Sequence, residues 1–215
     1  MASSPYHPPS DPLDVVHMDA QLLVVNKPAG LLSVPGKGPE LADCLLARLQ
    51  AAFPDTLLVH RLDRDTSGVM VFALTAHAQR HLGLQFEKRG VRKTYIARVH
   101  GHLTQKTGTV DLPLTVDWPN RPRQKVCHDT GRSALTEWRV MRQEADSTRV
   151  KLMPKTGRSH QLRVHMLALG HPILGDPLYA QDGSSADRMM LHAEELRLKH
   201  PDGGRSLKFR SPAPF

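Results

Sequence analysis

Four charged side chains, Arg61, Asp63, Arg64 and Asp65, crowd into five positions of the segment His60-Arg61-Leu62-Asp63-Arg64-Asp65-Thr66-Ser67-Gly68. On either side run Leu57-Leu58-Val59 and Val69-Met70-Val71-Phe72-Ala73-Leu74, which have the length and residue types of buried strands. Charge wedged between core strands costs stability unless something needs it there. A carboxylate at such a junction, with arginines on both sides, is held ionised and aimed. Asp63 therefore reads as a buried nucleophile or general base. A structural ion pair with Arg61, Arg64 or Arg163 is the competing reading, and the segment by itself leaves both open. Asp65 to Gly68 read as a turn in which short polar side chains bond the backbone.

Two more segments put polar groups where a core pattern would not ask for them. In Lys93-Thr94-Tyr95-Ile96-Ala97-Arg98-Val99 the alternation sends Tyr95, Ala97 and Val99 to one face and Thr94, Ile96 and Arg98 to the other. Tyr95 is then either a core tyrosine with a satisfied hydroxyl or a platform for a nucleic-acid base. The run Lys155-Thr156-Gly157-Arg158-Ser159-His160-Gln161-Leu162-Arg163-Val164-His165 opens a helix. Arg163 lies beside its apolar stripe. Its guanidinium either reaches water along the helix or is held against a buried carboxylate, which it would keep ionised at neutral pH.

A third kind of segment, Trp118-Pro119-Asn120-Arg121-Pro122-Arg123-Gln124-Lys125, reads as a stiff positive loop. Arg121, Arg123 and Lys125 recur at every second residue, so an extended backbone would align them in one positive row suited to a phosphate chain. An ordinary surface loop is the alternative; Trp118 beside the row favours RNA contact. The 13 histidines do not suggest a metal: His160 and His165 are five apart, and no HExxH or Cys/His cluster is present. There is no P-loop, and no GxGxxG to suggest a nicotinamide or flavin site; Ser67 does not stand in a nucleophile elbow.

The elements that must position these residues follow from periodicity. Leu22-Leu23-Val24-Val25 is a strand. Ala42, Leu45, Leu46, Leu49 and Phe53 recur at helical spacing until Pro54. A second helix runs from Ala76 to Arg89, capped by Thr75, with Ala78, Leu82 and Phe86 on one stripe. Ala134–Met141 and Thr148–Met153 read as paired strands. A helix over Ser159–Leu169 follows, with Leu162, Met166 and Leu169 inward, and Met189–Lys199 and Ser206–Arg210 form a last pair. Strands outnumber helices in irregular order, which predicts an α+β fold with a mixed, mostly antiparallel sheet.

The chain has 215 residues, enough for one domain or two small lobes sharing a sheet. Residues 1–12, with four prolines, read as a flexible arm ahead of a single domain over 13–215. A net charge of +8 and a pI near 9.8 point to a polyanionic partner, most often nucleic acid. Two cysteines without CxxC spacing, no signal peptide and no apolar run near the roughly 20 residues that span a bilayer predict a reduced cytoplasmic protein away from membranes. A monomer is the default expectation.

Several separated segments together resemble one family, the RluA-type pseudouridine synthases. They are Val25-Asn26-Lys27-Pro28-Ala29-Gly30-Leu31, His60 to Gly68, Lys93-Thr94-Tyr95-Ile96-Ala97, and Thr156 to His165 followed by Gly175-Asp176-Pro177-Leu178-Tyr179. The resemblance spans nearly the whole chain. It implies a mixed, mostly antiparallel sheet and the isomerisation of uridine to pseudouridine without a cofactor. Asp63 would be the nucleophile and Tyr95 would stack on the target uracil. Arg163 would pair with Asp63, Leu162 would line the uracil pocket, and Arg61 would enter the space left by the flipped base. His60, Arg158, Arg121, Arg123 and Lys125 would contact the RNA. The segments Asp117–Pro122 and Gln124–Cys127, with no S4 RNA-binding module, are similar to the branch acting on 23S rRNA and the tRNA anticodon stem-loop. One departure is the Arg64-Asp65 pair, where that branch can carry uncharged residues. A non-catalytic relative would show substitution at Asp63, Tyr95 or Arg163, and all three are present; a hydrolase would release free uracil.

Overall fold

A computed structural model describes residues 6–180 and 186–215. Its strands are β1 (Asp14–Met18), β2 (Leu22–Lys27), β3 (Leu57–Leu58), β4 (Ser67–Ala73), β5 (Arg92–His100), β6 (Thr107–Asp111), β7 (Leu114–Val116), β8 (Gln124–Val126), β9 (Leu135–Gln143), β10 (Ser147–Pro154), β11 (Leu191–Lys199) and β12 (Ser206–Arg210). The helices are α1 (Leu45–Ala52), α2 (Ala76–Glu87) and α3 (Gln161–Ala168). Mostly antiparallel strands with three helices make the fold α+β, as the irregular strand order predicted. The chain forms two compact units, one reaching to Val91 and resuming at Ala193–Pro212, the other Arg92–His192 with Ala213–Phe215.

In the first unit the strands run β1-β2-β4-β11, with β3 on β4 and β12 on β11. Every residue of β4 is buried, which is why its sequence is a continuous apolar run rather than an alternating one. Leu22 and Val24 of β2, Val71 and Ala73 of β4, Leu82 of α2, and Leu196 and Leu198 of β11 form one core. The helix α2 starts where expected: Thr75 Oγ1 accepts the Ala78 N–H at 3.1 Å, and Ala78, Leu82 and Phe86 face that core. The first helix begins three residues later than its periodicity suggested, because Cys44 is extended and its Sγ accepts the Ala47 N–H at 3.4 Å. Gly68 has φ +117°, and a Cβ there would lie 2.3 Å from the Ala193 carbonyl oxygen, so β4 can pass β11 this closely only with glycine. Of the arm expected over 1–12, residues 1–5 lie outside the described residues. Beyond them Tyr6 is anchored: its hydroxyl donates to the Asp43 carbonyl and accepts the Leu32 N–H, both at 3.0 Å.

In the second unit the order is β5-β10-β9-β6, beside a separate β7-β8 ribbon. Tyr95 faces Leu152, Ala97 faces Val150 and Val99 faces Thr148 across β5 and β10. The expected strand pairs β9–β10 and β11–β12 both form. Ala97, Val99, Val150, Leu152, Leu162 and Met166 make this unit's core, and Tyr95 packs against it on the predicted face. The helix α3 starts at Gln161 rather than Ser159, because His160 is left-handed (φ 53°) and interrupts the helical backbone. The sheet edges β1, β6 and the β7-β8 ribbon were not foreseen; they are short, and β1 is almost wholly exposed, so no alternation marked it.

Candidate active site

In the first unit the charged segment folds as a loop held by its main chain. The Asp63 carbonyl accepts the Thr66 N–H at 3.2 Å, closing a turn with Arg64 and Asp65 at its centre. This turn lies two residues before the one expected at Asp65–Gly68, because Ser67 and Gly68 already belong to β4. Three anchors fix it from outside. Lys27 Nζ, fully buried, donates to the carbonyls of Pro28 (2.9 Å), Leu31 (2.6 Å) and Arg64 (2.8 Å). The Gly30 N–H also donates to the Arg64 carbonyl at 2.9 Å. Ser33 Oγ donates to the Leu62 carbonyl (2.7 Å) and lies within reach of the Leu62 N–H (3.2 Å). A buried ammonium that satisfies three carbonyls keeps all its donors bonded, which is what makes its burial tolerable.

The loop's side chains divide. Asp63 is half-buried rather than buried, and Arg61 is exposed. Arg64 pairs with its neighbour, Nε to Asp65 Oδ1 at 2.9 Å and Nη2 to Oδ2 at 3.2 Å, so these two charges neutralise each other. His60 Nε2 accepts the Val71 N–H at 3.1 Å, and its ring stacks on Phe86 with centroids 4.6 Å apart. His60 thus braces β4 beyond the end of β3.

In the second unit the start of α3 is organised by side chains. The Gln161 amide oxygen accepts from Thr156 Oγ1 (2.7 Å) and the Arg158 N–H (3.0 Å), while its nitrogen donates to the Leu135 carbonyl and Thr136 Oγ1, both at 3.0 Å. His165 continues the chain: Nδ1 is 2.9 Å from Thr136 Oγ1 and Nε2 is 3.1 Å from the Leu112 carbonyl. Burial holds its pKa below the ordinary histidine value, so the ring is a neutral spacer. Arg158 Nε donates to the Ser133 carbonyl at 3.0 Å.

Arg163, only 3% exposed, is gripped by a fully buried carboxylate of its own unit: Nε to Asp176 Oδ2 and Nη2 to Asp176 Oδ1, both at 2.7 Å. The other duty of Asp176 Oδ1 is to accept the N–H groups of Leu178 (2.9 Å) and Tyr179 (3.1 Å). Asp176 follows Gly175, whose φ is +68° and where a Cβ would lie 2.1 Å from the Arg188 carbonyl oxygen, so no side chain fits. The Arg163 and Arg123 guanidiniums lie 5.0 and 5.2 Å from the Tyr179 ring centroid. The Tyr179 hydroxyl accepts the Gln124 N–H at 2.7 Å and is 2.8 Å from His160 Nδ1; burial raises its pKa, so it stays a neutral phenol. On β5, Lys93 and Tyr95 share a face. Lys93 Nζ donates to the Thr156 carbonyl at 3.1 Å, and burial lowers its pKa to about 8.

The basic loop is not one extended row. Asp117 closes it: its N–H donates to the Arg123 carbonyl (2.9 Å) and Asn120 Nδ2 donates to its Oδ2 (2.9 Å). Only Gln124–Val126 is extended. Each cation therefore takes a separate partner: Arg121 the Trp118 ring (4.3 Å), Arg123 Tyr179, and Lys125 the Asp117 carboxylate (3.7 Å).

The profile of the RNA pseudouridylate synthase family matches residues 21–168, from β2 through α3. The chain belongs to that family. It is 56% identical over 204 residues to the dual-specificity RNA pseudouridine synthase RluA of Yersinia pestis, covering 94% of this chain and 99% of that protein. To the protein of the same name from Escherichia coli K12 it is 53% identical, with both chains fully covered. Among solved structures, human RNA pseudouridylate synthase domain containing 1 superposes with a TM-score of 0.81 at 31% identity, covering 97% of this chain and 87% of that one. The chain is thus a pseudouridine synthase, an isomerase, and the sequence resemblance named the right family.

In this pseudouridine synthase, sequence reading missed the positioning residues. Lys27, Asp176 and Tyr179 stand inside segments that carried the resemblance, but no pattern distinguished a buried lysine at a strand end from a solvated one. For Asp176, the Gly-Asp-Pro sequence was the available signal, an acidic residue set to bond the backbone two and three positions on. Gln161 and Ser33 gave none, since their value lies in partners distant in sequence.

Proposed function

We propose that this enzyme converts specific uridines to pseudouridine in RNA of two classes, 23S rRNA and the tRNA anticodon stem-loop. The observation that carries the reading is full-length similarity to proteins named as dual-specificity RluA. The target base leaves its stack, which favours loops over continuous helix. Asp63 is the nucleophile. Its loop is aimed by Lys27, Gly30 and Ser33, and the half-exposed carboxylate is accessible to a substrate. Tyr95 stacks on the uracil and Leu162 lines its pocket; both belong to one side-chain cluster. Arg163 pairs with Asp63 and keeps it ionised, with Asp176 fixing two of the guanidinium's nitrogens. Arg61 fills the space left by the flipped base, His60 and Arg158 contact the RNA near the loop ends, and Arg121, Arg123 and Lys125 meet its phosphates. Breaking the glycosidic bond, turning the uracil and forming the C–C bond leave atoms and electrons balanced, so the reaction calls for no cofactor. Residues 13–215 act as one catalytic domain, in the cytoplasm, as a monomer. Among the described residues no helix is long and apolar enough to cross a membrane.

The decisive experiment is Asp63→Asn. Pseudouridine formation in a tRNA stem-loop and in 23S rRNA should vanish, while RNA affinity stays within a few-fold. Normal turnover by this variant would refute the assignment of Asp63. Pseudouridine mapping in cells with and without the gene product then fixes which uridines belong to it.

A further inference from the structure

Among the described residues, Trp118 is the most exposed large hydrophobic side chain. It is 67% exposed in a chain with two tryptophans, on the first position of a single 3-10 turn. The turn that presents this indole is tied by main-chain and side-chain hydrogen bonds. The turn is closed by Asn120 N–H to the Asp117 carbonyl (3.0 Å) and Arg123 N–H to the Asn120 carbonyl (3.0 Å), and Asp117 ties its two ends together. Below, Gln124 is bonded to Tyr179. Arg121 covers one face of the indole at 4.3 Å, and the exposure leaves the other face to solvent. An aromatic face that is flat, fixed, wet and backed by a cation is the chemistry that takes a nucleic-acid base, because any base offers a π-face and the guanidinium adds attraction for the adjoining phosphate. A protein partner would instead meet an isolated apolar group within a cationic loop.

We propose that Trp118, backed by Arg121, is a stacking subsite for an unpaired nucleotide of the RNA outside the reacting uridine. The subsite selects RNAs that present a second unstacked base, and it acts on substrate capture, not on the chemical step. This rests on the RNA-modifying function proposed above, and adds a base-stacking position to the phosphate contacts of the loop.

The test uses the full chain, with a stem-loop RNA that is a substrate and a fully paired duplex of equal length as probes. The exposed indole should be quenched by the stem-loop and not by the duplex. Trp138, 4% exposed, should contribute little to the change. Trp118→Ala should raise KM roughly tenfold or more, the scale of aromatic–base stacking, with kcat within about twofold and Trp118→Phe restoring most of the affinity. Equal quenching by the duplex, an unchanged KM in Trp118→Ala, or a fall in kcat alone would each overturn the subsite. Absence of pseudouridine formation by the wild-type chain on any RNA would instead overturn the function on which it rests.

Discussion

Two lysines, the buried Lys27 in one unit and the partly buried Lys93 in the other, support the two polar segments and do so in opposite ways. Lys27 spends its donors on three carbonyls, one of them Arg64 in the Asp63 loop. Lys93 donates one hydrogen bond, to Thr156 at the start of the segment that leads to Arg163, and burial leaves its pKa near 8. The Asp63 loop is therefore fixed through main-chain atoms, and its shape depends little on which side chains it displays. Around Arg163 the position is fixed by side chains: Asp176, Tyr179, Gln161 and Thr156 each bond a particular partner. A loop anchored by its backbone can display the Arg64-Asp65 pair without changing shape, since the two charges cancel locally at the surface. A network of side chains has no such latitude.

The sharpest way to break this contrast is Asp176→Asn. The amide keeps an acceptor for the Leu178 and Tyr179 N–H groups but turns an NH2 group toward a buried guanidinium and removes the carboxylate that grips two of its nitrogens, which should cost about 3–5 kcal/mol. Denaturant unfolding at constant m-value reads it, and a loss below about 1 kcal/mol would show that Arg163 is not fixed by this carboxylate. Next comes Lys27→Met, which leaves the Pro28 and Leu31 carbonyls without the ammonium and loosens Arg64. Roughly 3 kcal/mol of stability should go, at about 1–3 kcal/mol per abandoned acceptor. Turnover should fall with KM nearly unchanged, because the Asp63 loop loses its aim. A variant of normal kcat would mean that Gly30 and Ser33 hold the loop without it.

The same contrast explains what the sequence made legible. Strands β2 and β4 were readable as short continuous apolar runs, β5 by its alternation and helix α2 by its apolar stripe. So was the face of β5 that carries Tyr95 with Ala97 and Val99 against the core, which follows from strand parity. The site residues that display chemistry, Asp63 and Arg163, were readable as charge out of place. The residues that position them were not, because their function is a matter of partners far along the chain: Lys27 with Arg64, Gln161 with Leu135, Arg163 with Asp176. The basic loop shows the same limit from the other side. Spacing at every second residue predicted a row only if the backbone were extended, and Asp117 folds it into a closed turn.

Lys93→Met probes the weaker of the two lysines and should give the smallest effect, with a sign that depends on pH. A lysine whose pKa falls from 10.5 to about 8 on folding binds fewer protons folded than unfolded between those values. Wild-type stability should therefore rise with pH across that window, by at most about 1.4 kcal/mol per pH unit, and below about pH 8 the chain bears the full cost of burying an ammonium. Methionine removes that cost and also the bond to Thr156, a loss of about 1 kcal/mol that does not change with pH. The stability of wild type minus variant should thus be flat up to about pH 7 and climb between about 8 and 10.5, while ionisations common to both proteins cancel. Unfolding midpoints across that range measure it. A difference that stays flat through pH 10 would mean that Lys93 is as well satisfied as Lys27, and that the two polar segments are held in the same way after all.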